Sequence, residues 1–244
     1  MNDNAAVTAA RAAAAHVWRC RYGVEIEAAE RFRNLAVELT NVGASDAVVE
    51  MARNASTDEL RHAEKCRELI EHFGGKLDTP LTVGTRPVAP RVLAQQDRVL
   101  YEVVALSCVT ETLSTALLGV LVERAKDRLV RNALYSILRD EVGHSRLGWA
   151  FLAEQYARGA RDPVREWLPA MLSATLPNEV FSAADDASEF DRALAGFGSL
   201  ERSERQRIVR EALTAVIFPG LDRFGIDTRL GRSWLSERLG VQPR

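Results

Sequence analysis

This chain of 244 residues predicts an all-α fold: a four-helix bundle built from two antiparallel hairpins, followed by a helical C-terminal extension. Three observations carry that expectation. Apolar residues recur at helical spacing, and stretches of period two are scarce. Glycines punctuate the long amphipathic segments at Gly43, Gly74-Gly75 and Gly159. The connections between segments run short, long, short.

The first helix is read from about Val7 to Leu39, ending at Asn41-Val42-Gly43, where glycine supplies a C-terminal stop. The second runs from Ser45 or Asp46 as N-cap to Phe73 and closes on Gly74-Gly75. A segment of about 17 residues with three prolines, GKLDTPLTVGTRPVAP, has no helical period. The third helix is read over 91–124 and the fourth over 126–156, with Gly159 and Asp162-Pro163 ending it. A helix of about 28 residues is roughly 42 Å long, and about 17 extended residues span roughly 56 Å. The middle connection is therefore long enough to cross the whole bundle. Residues 1–157 form the bundle in this reading. Residues 158–244 form an extension with short helices at 164–175, 186–197, 201–217 and 231–239, punctuated by Pro177, Gly196, Gly198, Pro219 and Gly220. Trp167 and Trp234 lie in the extension and predict that it packs on the bundle.

Composition narrows the function. With a net charge of −2 the chain has no basic excess to neutralise phosphates, so nucleic acid is not an expected partner. No uninterrupted run of about 18 apolar residues occurs, so no membrane span is expected. The N-terminus lacks the basic start and greasy centre of a signal peptide. Cys20, Cys66 and Cys108 lie far apart with no CxxC, which argues against a disulfide framework, a zinc ribbon or a rubredoxin iron site. A reducing cytoplasm is the expected location.

The second and fourth helices each carry an Asp-Glu-x-x-His run: Asp58-Glu59-Leu60-Arg61-His62 and Asp140-Glu141-Val142-Gly143-His144. Glu and His three apart share one helix face, so each run can offer a carboxylate and an imidazole to one metal. Chance places Asp-Glu at these offsets before a given histidine with odds of roughly 0.005, and before two of the four with odds of roughly one in ten thousand. In the third helix, Glu111 shares a face with Leu100, Val104, Cys108, Leu118 and Leu121. A buried carboxylate there is costly without a partner, and a cation is the simplest one. The first helix offers Glu25, Glu27 and Glu30. Glu25 shares its face with Ala28, Phe32, Leu35 and Leu39, whereas Glu27 lies on a polar stripe with Arg31, Asn34 and Glu38. Glu25 is taken as the fourth carboxylate, with Glu30 in reserve. His16 and His72 lie far along the axis from the other candidates and are not read as ligands.

Glu25, Glu59-x-x-His62, Glu111 and Glu141-x-x-His144 resemble the ligand set of the ferritin-like di-iron carboxylate superfamily: one Glu from each of two helices and Glu-x-x-His from each of the other two. The resemblance covers roughly residues 15–157. It implies that Glu59 and Glu141 bridge two irons, with Glu25 and His62 completing one and Glu111 and His144 the other. Asp58 and Asp140 match aspartates that accept a hydrogen bond from a ligating imidazole. Independently, four carboxylates and two imidazoles balance two divalent cations, and oxygen plus nitrogen donors suit iron or manganese, as an iron pair, a manganese–iron pair or a manganese pair.

Within that superfamily, activity does not follow from fold. About 80 residues beyond the bundle argue against a storage-cage subunit. Rubrerythrin-like sites tend to bear another Glu three residues after the third-helix ligand, where this chain has Ser114, and N-oxygenating members carry a His where this chain has Ile137. Cys66 and Thr115, one turn from ligands, are similar in position to a Cys and a Thr bordering the oxygen pocket of bacterial multicomponent monooxygenases. Cys108 is a further candidate for that pocket, and Tyr22 matches the place of a redox tyrosine in ribonucleotide reductase small subunits. The expected function is activation of dioxygen or peroxide to oxidise a small organic substrate, with an electron donor as partner and homodimerisation as a family-like expectation. The alternatives are a rubrerythrin-like peroxidase or ferroxidase, and a non-catalytic iron-binding scaffold.

Overall fold

The computed structural model describes residues 3–77, 85, 87–159, 162–176 and 194–239, and the regular structure among them is entirely helical. Four long helices dominate: α1 (Asp3–Asn41), α2 (Asp46–His72), α3 (Gln95–Arg124) and α4 (Arg128–Ala157). The remainder contributes a 3-10 turn (Arg165–Trp167) leading into α5 (Leu168–Thr175), a further helical run α6 over 202–223, and α7 (Arg229–Arg238). The expected helix at 186–197 lies mostly outside the described residues; Ala195–Phe197 forms a 3-10 turn.

Local chemistry sets the ends. The Ser45 hydroxyl accepts the Val48 N–H at 3.3 Å to start α2, and Asp127 accepts the N–H groups of Leu129 and Val130 at 2.7 and 3.2 Å to start α4. At the other end of α2, Gly74 sits at φ +85°, a left-handed conformation that a side chain would oppose. The α3 helix begins four residues later than its periodicity suggests, at Gln95.

Along all four long helices the apolar residues fall into two clusters separated by a polar layer. One holds Phe32, Leu39, Val49, Tyr101, Leu147 and Phe151; the other holds Trp18, Ile70, Leu118, Leu121, Leu134 and Ile137. Glu25, Glu59 with His62, and Glu141 with His144 fall between these groups on their respective helices, and Glu111 lies at the edge of the first group on α3. The extension joins both clusters: Met171, Leu213 and Phe218 enter the first, Leu200 and Ile208 the second. Trp167 packs against the first cluster, and Trp234 is buried in it with its indole N–H donated to Ser173 Oγ at 2.8 Å.

Two features depart from the sequence reading. Pro219 and Gly220 do not end a helix, because π-helical Leu213–Ile217 widens the turn just before them and Pro219 enters the next α-helical segment in its first turn, where its missing N–H matters least. In α3, residues Val104–Glu111 are π-helical. There the Thr110 hydroxyl donates to the Ala105 carbonyl at 2.9 Å. Packing against α4 is close: a Cβ on Gly148 would stand 2.6 Å from Cys108 Sγ and 2.8 Å from Ser107 Cβ.

By length and composition, Gln95–Arg124 is apolar enough to cross a membrane, although polar residues interrupt its apolar run. Half of its apolar window is buried inside the bundle, and it carries the buried Glu111.

Candidate metal centre

The polar layer brings all six predicted side chains together. None of Glu25, Glu59, His62, Glu111, Glu141 and His144 is more than 6% exposed. One donor atom each from Glu25, Glu59, His62 and Glu141 lie within 4.8 Å of one another, and so do donor atoms from Glu59, Glu111, Glu141 and His144. Glu59 and Glu141 belong to both groups. The choice of Glu25 over Glu30 is decided by the face of α1: Glu30 is paired with Arg33 and Asn34 at the exterior.

Both imidazoles point Nδ1 into the cluster. His144 Nδ1 lies 3.0 Å from Glu59 Oε1 and from Glu141 Oε2, and His62 Nδ1 lies 3.1 Å from Glu59 Oε2. Their Nε2 atoms face aspartates from the opposite motif. His62 Nε2 is 3.3 Å from Asp140, and His144 Nε2 is 3.3 Å from Asp58. An Nε2–H donated to a carboxylate fixes the tautomer and leaves the Nδ1 lone pair for a metal. This crossing is not readable from spacing, which cannot say which imidazole each aspartate serves. Arg61 is a site residue that the ligand motif does not mark: its guanidinium lies 2.5 Å from Asp58 and 3.4 Å from Asp140, tying the two aspartates. Its position three residues after Asp58 was the available signal.

Without a cation the cluster must hold protons. Burial, and then the charges of Glu59 and Glu141, push Glu25 well above the usual carboxylate range. Burial, and then Glu141, do the same to Glu111. Burial works against ionised Glu59 as well, but hydrogen bonds from His144 and His62 overcome it and hold Glu59 down at about 2. For His144, burial is outweighed by hydrogen bonds to Glu141 and Glu59, which raise it to about 10. Ser114 donates its hydroxyl to Glu141 Oε1 at 3.1 Å.

A cavity of about 380 Å³ opens beside the cluster, between α1, α3 and the end of α5. Glu25, Glu59, Glu111 and Glu141 form one wall, and Ala174 and Thr175 of the extension reach another. Glu27 and Arg31, read from the sequence as a polar stripe, border it as an ion pair of 2.6 Å. Cys66 and Thr115 are not among its lining residues; Thr110 and Ser114 are. Cys66 packs with Trp18, Leu69 and Leu118 in the second apolar cluster, where burial, and then the charge of Glu25, push its thiol well up and keep it protonated. Thr115 turns its hydroxyl back to the Glu111 carbonyl at 2.8 Å, the usual local bond of a helical threonine. Cys108 is buried in the first cluster, and Tyr22 packs against the second. His16 contacts Cys20, and His72 pairs with Asp127 at 2.9 Å, both away from the cluster. All three cysteines are free.

No family model and no curated protein matches the chain. Among solved structures it is similar to protein 19 with aldehyde deformylating oxidase activity from Synechococcus, at 16% identity over 95% of this chain and 99% of that one, with a TM-score of 0.62. With the all-helical architecture and the carboxylate–histidine cluster already described, that likeness establishes the ferritin-like helical bundle as the fold of this chain.

Proposed function

We propose that this protein holds two divalent metal ions between its four long helices and uses them to activate dioxygen or peroxide for oxidation of a small organic molecule. The carrying observation is that two groups of donor atoms, each within 4.8 Å, share Glu59 and Glu141. The donor set fits the ions: four buried carboxylates crowd each other, and two divalent charges remove that repulsion. Oxygen and imidazole donors favour iron or manganese, and iron is the proposed metal. Ions of this kind, when bound, supply electrons and open coordination positions for reducing oxygen.

The chain's own residues supply the rest. Glu59 and Glu141, common to both donor groups, would be shared by the two ions, with Glu25 and His62 holding one and Glu111 and His144 the other. Asp140 and Asp58 orient the imidazoles, and Arg61 holds the two aspartates in register. Ser114 steadies Glu141. The apolar clusters above and below exclude water, while the cavity admits substrate from the side of α1. An external reductant supplies electrons. The fold shared with a protein of aldehyde deformylating oxidase activity supports an oxygen-dependent reaction on a small organic substrate.

The test is anaerobic loading with ferrous iron followed by air. Two irons per chain and an oxygen-dependent change in visible absorption support the reading, and His62→Ala with His144→Ala abolishes both. A chain that binds no metal, or whose double variant keeps full metal content, overturns it. Steady growth of a mineral core would assign iron storage instead.

A further inference from the structure

The cavity beside the cluster has a charged wall that the metal ions do not use. Along α1 it runs from Arg21 past Glu25 to Arg31, about 15 Å of helix at about 1.5 Å per residue. Arg31 is committed to Glu27, through Nε at 2.9 Å and Nη2 at 2.6 Å. Glu102, also on the wall, accepts the Ala89 N–H at 2.7 Å. Arg21 differs. Among the described residues it has no carboxylate at ion-pair distance, and its guanidinium lies over the Trp18 ring, 5.5 Å from the centroid. It lines the cavity together with Glu25, and its charge opposes that of Arg205, a second guanidinium nearby.

Charge balance then sharpens the point. Two divalent ions neutralise Glu25, Glu59, Glu111 and Glu141, and Arg31 neutralises Glu27. Arg21 is left as a cation on the wall with its natural counter-charge consumed by metal. A half-buried guanidinium in that position favours an anion, and its planar fork suits a carboxylate.

We infer that the cavity takes a small carboxylate-bearing organic molecule, anchored by Arg21, whose apolar remainder passes the cluster about 6 Å further along α1 at the level of Glu25. The inference rests on the di-metal reading, because the loaded cluster leaves the four carboxylates no net charge with which to repel an anion on the same cavity wall. The remainder of the molecule has room to continue. A second cavity of about 390 Å³ shares Arg31, Glu102 and Leu106 with the first and adds Leu35, Pro87 and Val99. Ala174 and Thr175 of α5 bound the first cavity, which gives the extension a part in setting ligand size.

Calorimetric titration of the full chain, loaded with ferrous iron under nitrogen and with metal content measured on the same samples, tests this with hexanoate and hexan-1-ol as probes. Hexanoate is expected to bind wild type about tenfold or more tightly than hexan-1-ol, Arg21→Gln to erase that preference, and Arg21→Lys to restore part of it. Equal affinity for both probes, or hexanoate binding that Arg21→Gln leaves unchanged because the carboxylate goes to metal, overturns the inference alone. A chain that takes up no iron overturns the di-metal reading and this inference with it. Thermal melts of both Arg21 variants separate loss of binding from loss of fold.

Discussion

The two hairpins carry the same motif in different settings. In α1–α2, Glu25 sits on an unbroken α-helix whose outer face borders the cavity, beside Val24, Glu27 and Arg31. In α3–α4, Glu111 closes a π-helical stretch, and the residues just before it press on Gly148 of α4. Both carboxylates line the same pocket, one from a regular helix and the other from a widened turn packed against α4. The difference teaches that matching ligands do not require matching mechanics. Both flanks face the cavity, but the α1 side reaches it from a regular helix, whereas the α3 side is held by contact with Gly148 of α4. Wider turns of this kind recur at functional sites.

The comparison breaks most severely at the shared carboxylates. Glu59→Ala or Glu141→Ala is expected to reduce iron from two per chain to less than one, while Glu25→Ala and Glu111→Ala each leave one; metal analysis after anaerobic loading and desalting distinguishes the two classes. Next in size is pH. Glu25, Glu111 and His144 bind protons in the metal-free cluster above their ordinary ranges, so loading must release them. Iron affinity should therefore rise with pH by up to about tenfold per unit for each proton released. The metal-free chain should do the opposite. The stability contributed by protonated His144 is full below its ordinary 6.5 and is lost as pH rises through about 10. Titrations of iron binding and of the melting temperature, run side by side, check both signs.

Packing gives a smaller effect. Gly148→Ala forces a Cβ against Cys108 and Ser107 and should cost about 1–3 kcal/mol. Gly143→Ala, on the same helix with nothing within 4 Å of its Cβ, should stabilise by about 0.5–1 kcal/mol. Denaturant melts of the pair measure how tightly the π-helical stretch is held. Smallest is Ser114→Ala, which removes one hydroxyl from Glu141 and should weaken iron binding by about 0.5–1.5 kcal/mol, read by competition with a chelator.

Much of this is legible in the sequence. Helical period, glycine stops and short connections located the four long helices to within a few residues, because those signals are local. Glu25 could be preferred to Glu30 because its neighbours on the helix face are apolar. What escaped is what local patterns do not encode. Between Val104 and Val109 only Ser107 interrupts the apolar residues, so a wider turn leaves no clear phase break to read. Thr115 and Cys66 sit at helical spacing from ligands, but spacing does not say that one hydroxyl turns to its own backbone and that the thiol points into an apolar cluster. Arg31 read as solvated because its partner Glu27 lies on the same stripe. Only the packing of α1 against α3 and α5 turns that stripe into a cavity wall.

The exchange of aspartates between the hairpins has a consequence for how the site could be assembled or lost. Asp58 steadies the ring of the fourth helix and Asp140 that of the second, so neither half is self-sufficient. A chain severed in the proline-bearing crossover would yield two pieces, each with a histidine lacking its keeper and a keeper lacking its histidine. Only reunion of the fragments would bring every ring back to its own guardian.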